Sequence, residues 1–177
     1  MTWCLVGSEM CIRDSVTFVN GDETIPLEHE AFTHVSLPTK ARRGFQAKAL
    51  GKAIGDWLTG QTVDRDSTVA VVEWRVVRQV VPVLENAGIP WTLMDRSPPA
   101  DAGLLGRLQW RPWSLAWRKA KQSGTEGFVV SLAHQAFVAQ KTGHQHTTVI
   151  QAGVDVERFK PGEKRPTFTM VYHGRLD

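Results

Sequence analysis

Thr68-Val-Ala-Val-Val-Glu73 is an apolar run ended by a carboxylate, and Trp74 leads it directly into Arg75-Val-Val-Arg-Gln-Val-Val-Pro-Val-Leu-Glu-Asn-Ala87. The first run has the composition of a parallel strand buried on both faces. In the second, Val76, Val77, Val80, Val81 and Leu84 share one face at helical spacing. Two features oppose a helix there: the valines favour strand, and Pro82 would kink a helix begun at Arg75. Length decides for helix, because a strand reaching Ala87 would far exceed the strands of globular domains. Gly88-Ile-Pro90 is a helix stop, and Trp91-Thr-Leu-Met94 is the next strand. The unit is strand, helix, strand, which joins parallel neighbours through a right-handed crossover.

The same alternation extends in both directions. Upstream, Val16 to Val19 and Phe32-Thr-His-Val-Ser-Leu37 read as strands, with Asn20-Gly21-Asp22 as a turn between them. Ala41 to Thr59 reads as a helix with Leu50, Ala53, Ile54, Trp57 and Leu58 on one face, and Gly60 stands at the C-cap position. Downstream come a Pro-containing loop at Asp95 to Asp101, a long helix from Leu104 to Gln122, and a strand at Phe128 to Ser131. A helix from Leu132 to Thr142, ended by Gly143, and a strand at Thr147 to Ile150 complete the pattern. The predicted fold is α/β: a doubly wound, Rossmann-like parallel sheet, whose ligands bind beyond the carboxyl ends of the strands. The loops after Leu37, Glu73, Met94 and Ser131 are therefore the ones that matter.

The 177 residues suffice for one domain with a proper core and not for two full ones. Hydrophobic residues at 42% and charged residues at 22% are ordinary for a globular chain. No window approaches the roughly 18–20 apolar residues that span a bilayer. A net charge of +3 suits an anionic ligand. The densest basic cluster, Lys40-Ala-Arg-Arg43, falls short of a nucleic-acid footprint, so nucleic acid is not an expected partner. Walker, Gly-x-Gly-x-x-Gly, Gly-x-Ser-x-Gly and His-Glu-x-x-His motifs are absent. His144-Gln-His146 has ligand residue types without a third partner at a recognisable spacing, so it reads as loop and no metal site is expected. His134 and His173 are similarly unassigned, although His173, just before Gly174, is placed to line a cleft between lobes.

Residues 1–15, Met1-Thr-Trp-Cys-Leu-Val-Gly-Ser-Glu-Met-Cys-Ile-Arg-Asp-Ser15, resemble a translated sequencing adapter and read as a non-native segment. The stretch lacks the basic start and sustained apolar core of a signal peptide. Both cysteines, Cys4 and Cys11, lie in it, so the remainder carries no disulfide or thiolate signal.

Beyond the last strand, Val149-Ile-Gln-Ala-Gly-Val-Asp-Val-Glu-Arg-Phe-Lys-Pro161 is followed by Phe168-Thr-Met-Val-Tyr-His-Gly-Arg-Leu-Asp177. Gly153 permits a tight turn after a buried strand, Phe159 can anchor the following segment in apolar surface, and Pro161 stiffens it. Residues 162–166 make a polar linker, and Thr167 to Tyr172 starts a new strand. Gly174 lets backbone approach a ligand, and Arg175 offers a charged fork suited to a diphosphate.

This run resembles the retaining, two-lobed (GT-B) glycosyltransferases of family 4. In them the N-terminal lobe ends in a strand and a Gly-Val-Asp…Phe-x-Pro crossing, and a strand ending in Gly-Arg-Leu opens the nucleotide-binding lobe. Gly153, Val154, Asp155, Phe159 and Pro161 match the crossing, and Gly174, Arg175 and Leu176 match the strand end. The specific motif covers only about the last thirty residues. The resemblance implies an N-terminal, acceptor-side lobe over residues 16–161, with residues 162–177 as linker and start of the C-terminal lobe. It assigns donor-diphosphate binding to Gly174 and Arg175. It also implies a nucleotide-diphosphate sugar as donor, no resident cofactor or metal, and a glycan, lipid-linked or small-molecule acceptor. The expected location is the cytoplasm, at the inner membrane face for a lipid acceptor. The glycine-rich loop after the first strand and the family's donor-site lysine and paired glutamates do not occur here, so a fragment open at both ends, inactive alone, is expected.

Candidate acceptor-cleft residues follow from the strand ends. Trp74 and Arg75 place an aromatic beside a cation after one strand; an equally good reading is a surface-packed helix start. Asp95 and Arg96, with Ser97, occupy the same position after the next, and Ser131 follows a third, where helix capping is its stronger reading. Trp110, Trp113 and Trp117 share a face of the long helix, beside Arg111, Arg118, Lys119 and Lys121. Such a helix can lie on a membrane surface, giving peripheral membrane contact, or pack on the sheet, which explains the tryptophans more simply. Two other readings remain: a two-lobed sugar-nucleotide epimerase, and a non-catalytic doubly wound binding domain.

Overall fold

The computed structural model describes residues 15–21, 30–42, 44–100 and 103–151. The adapter-like segment apart from Ser15, and the crossing and strand-end residues Gly153, Val154, Asp155, Phe159, Pro161, Gly174 and Arg175, lie outside them. The elements in chain order are β1 (Val16–Asn20), β2 (Phe32–Ser36), α1 (Gln46–Thr59), β3 (Ala70–Glu73), α2 (Val77–Ala87), β4 (Trp91–Asp95), α3 (Gly103–Gln122), β5 (Gly127–Val129), α4 (Leu132–Thr142) and β6 (Thr147–Val149). β3, β4, β5 and β6 form one parallel sheet in that order, and β1 and β2 form a separate parallel pair. Strands alternating with helices around an all-parallel sheet make this the Rossmann-like α/β class read from the sequence.

Strand register decides what the sheet buries. Ala70, Val72, Trp91, Leu93, Asp95, Gly127, Val129 and Val149 fall on one face by alternation and pairing. α2, α3 and α4 cover that face, supplying Val77, Val80, Val81, Leu84, Trp113, Ala116, Trp117, Ala120 and Val138 to a single apolar cluster. Full burial of each larger aliphatic side chain contributes about 1.5–3 kcal/mol before entropy is counted. All five residues of β4, which runs between β3 and β5, are buried. β3 is an edge strand among the described residues, and there the expectation of burial on both faces fails: Val69 is 66% and Val71 43% exposed.

α2 begins two residues later than Arg75, after a turn in which the Val76 N–H donates to the Glu73 carbonyl at 3.1 Å. Pro82 lies within it without ending it. Gly88 closes the helix at φ +70, a conformation that favours glycine, while its N–H and that of Ile89 satisfy the last carbonyls. α1 begins five residues later than read from the sequence. Gly44 at φ +91 is the physical reason, since a left-handed residue cannot continue a helix. Gly60 ends α1 at φ −87, an ordinary conformation. α1 crosses α2 through Gly51 and Gly55, which face Gln79 and Val83. No helix among the described residues is long and apolar enough to cross a membrane.

Candidate functional site

The carboxyl ends of β3, β4 and β5 present Glu73-Trp74-Arg75, Asp95-Arg96-Ser97 and Val130-Ser131 along one rim of the sheet. At β3, the Arg75 guanidinium lies 4.6 Å from the centroid of the Trp74 ring and pairs with the Glu73 carboxylate. The Trp74 ring is thus covered by the guanidinium of its own neighbour. Trp74 is itself 3% exposed, so its ring belongs to the core, and Arg75 is the part offered to a ligand.

At β4 the two adjacent candidates separate. Arg96 is exposed at the rim. Asp95 points the other way, into the helix layer, and is fully buried. Its Oδ2 accepts the indole N–H of Trp113 at 2.6 Å and of Trp117 at 2.9 Å. His134 Nε2 lies 3.2 Å from the same oxygen, and Oδ1 accepts no hydrogen bond among the described residues. A carboxylate enclosed this way cannot touch a ligand in the cleft. It ties β4 to α3 and α4, holding the rim residues that follow. Alternation along β4 carries the signal, since Trp91, Leu93 and Asp95 share parity and the first two are plainly apolar.

Ser131 caps α4: its Oγ accepts the backbone N–H of His134 at 3.1 Å. That cap sets the first helical turn and brings the His134 ring to Asp95, a role that residue type and position alone did not reveal.

In α3, Trp113 and Trp117 are 1% and 0% exposed, so these two tryptophans are core, joined edge-on at 6.4 Å. Trp110 packs edge-on against Trp113 and at a tilt against Phe137 of α4. A cavity of about 360 Å³ lies beside them, bounded by Pro98 and Pro99 of the loop after β4, by Ser114 and by Lys141. Its aromatic walls and single cation have the chemistry to stack a sugar ring or hold an anion.

His144 lies in the loop before β6 but turns inward, 4% exposed and 5.3 Å from the Trp117 ring. Burial holds its imidazole below the ordinary histidine range. Among the described residues no group of His, Cys, Asp or Glu side chains is arranged to hold a metal.

The rim therefore collects Arg75, Arg96 and Ser131, while Trp74 and Asp95 stand behind it. No protein-family model, curated protein or solved structure matches the chain.

Proposed function

We propose that this chain is the acceptor-side lobe of a retaining glycosyltransferase that moves a sugar from a nucleotide diphosphate to an acceptor. The reading is carried by the ordered run Gly153, Val154, Asp155, Phe159, Pro161 and then Gly174-Arg175-Leu176, which follows directly on β6. It is supported by the parallel α/β sheet that precedes the run. The rim, with Arg75 and Arg96, lies at the strand carboxyl ends, where such sheets bind ligands. In this reading the rim orients the acceptor, the second lobe holds the donor, and Arg175 offsets charge on the departing diphosphate. The reaction is placed in the cytoplasm, at the inner membrane face where the acceptor is lipid-linked.

The test is an assay of the gene product, expressed together with the coding sequence adjoining it, against a panel of nucleotide-diphosphate sugars. Proton NMR of the product reads the anomeric configuration. Retention is expected, with Arg175→Ala lowering kcat/KM by about 100-fold, the scale of losing one preorganised charge-stabilising group. Inversion at the anomeric carbon, or no transfer from any donor, would refute the reading.

A further inference from the structure

Between α2 and α3 lies a second, larger concavity of about 700 Å³ that opens to solvent. Val77 and Pro82 of α2 face Pro112, Leu115 and Ala116 of α3 across it. Above these apolar walls stand Arg75, Arg78, Arg111, Arg118 and Lys119, and no carboxylate is among the lining residues. Two of the five cations are already matched, Arg75 by Glu73 and Lys119 by Glu85 at 2.7 Å. Arg78, Arg111 and Arg118 are exposed and make no ion pair among the described residues.

Local stability does not account for this placement. Arg78 stands in the first turn of α2, where the helix dipole disfavours a cation, and that turn has neither an acidic residue nor a side-chain cap. Like charges gathered over an apolar trough raise one another's energy until an anion joins them. The trough itself asks for a hydrocarbon. Its walls are aliphatic and proline, and the tryptophan at its head is buried, so nucleobases have no ring to stack on. The surface is concave, which fits one molecule between two helices better than the plane of a bilayer.

We propose that the α2–α3 groove is a binding site for a single phosphate-bearing lipid, its headgroup held by the arginines and its chain lying against Pro82, Pro112 and Leu115. The site stands on its own geometry and does not rest on the transferase reading.

Titration calorimetry on the full chain tests it with dihexanoyl phosphatidic acid kept below its micelle concentration. Inorganic phosphate supplies the charge alone, and dihexanoyl phosphatidylcholine supplies the chains under a zwitterionic head. The phosphatidic acid should bind at least about tenfold tighter than either comparator, and added salt should weaken it. The triple variant R78A/R111A/R118A should lose about tenfold or more, as should Leu115→Glu, while Lys141→Ala in the other cavity should bind as the parent does. All of these side chains are exposed, and circular dichroism and the melting midpoint report whether each variant keeps its fold. Equal binding of inorganic phosphate, equal binding of the zwitterionic lipid, an unaffected triple variant, or no heat with phosphatidic acid would each overturn the proposal.

Discussion

The indole N–H of Trp113 donates to Oδ2 of Asp95 over 2.6 Å, in a site closed to solvent on both sides. Removing the carboxylate leaves two buried indole donors, those of Trp113 and Trp117, without their acceptor. Asp95→Ala should therefore destabilise the fold by about 3 kcal/mol, and Asp95→Asn, which keeps one acceptor oxygen, by less. Urea unfolding followed by tryptophan fluorescence measures both. An unchanged midpoint for Asp95→Ala would show that the cluster contributes nothing.

Gly127 in β5 lies against the six-membered ring of Trp117. A Cβ there would sit 2.4 Å from Cζ3 and 2.5 Å from Cη2 of that ring, and the ring is held on its other side by Asp95. Gly127→Ala should cost about 1–3 kcal/mol, since the overlap must be relieved by shifting a packed indole. Thermal unfolding by circular dichroism checks it, and a gain in stability would mean that the helix layer yields freely.

The crossing of α1 and α2 separates two glycines of the same helix. At Gly55 a Cβ would make ordinary contact, 3.5 Å from Val83 Cγ2, so Gly55→Ala should stabilise by up to about 1 kcal/mol through helix propensity. At Gly51 it would lie 3.1 Å from Gln79 Cβ and 3.0 Å from Oε1, so the same change should gain nothing or lose. Paired melting curves suffice, and equal gains at both positions would contradict the close crossing.

His144 gives the fold an acid-side slope. Burial lowers its imidazole below its ordinary value of 6.5, although the ring donates from Nε2 to the carbonyl of His146 at 2.9 Å. The unfolded chain takes up the proton first. Stability is thus full above about pH 6.5 and falls as pH drops from there toward the lower folded value. Urea midpoints measured from neutral to mildly acid pH should decline, and His144→Gln should flatten that part of the curve.

Most of the architecture was readable because periodicity is a local property. The stripe from Val76 to Leu84 identified a helix against the strand preference of its valines, and burial of Val77, Val80, Val81 and Leu84 against the sheet is what that stripe was for. The start of α1 was not readable, because one backbone angle at Gly44 settles it and composition does not encode that angle. From the sequence Asp95 reads as a cleft residue because it stands at the carboxyl end of a strand, where parallel sheets bind ligands. Its burial depends on two indoles from a helix that begins eight residues later, a long-range pairing that local pattern cannot express. Ser131 was legible as a cap because capping is short-range.

The free side of β3 has a colloidal consequence. Its backbone donors and acceptors face outward without a strand partner among the described residues, and Val71 within it and Val69 just before it are apolar and exposed. Such an edge is a template on which a second copy can continue the ladder. In concentrated preparations the chain should therefore oligomerise through β3, and a lysine in place of Val71 should keep it monodisperse by light scattering.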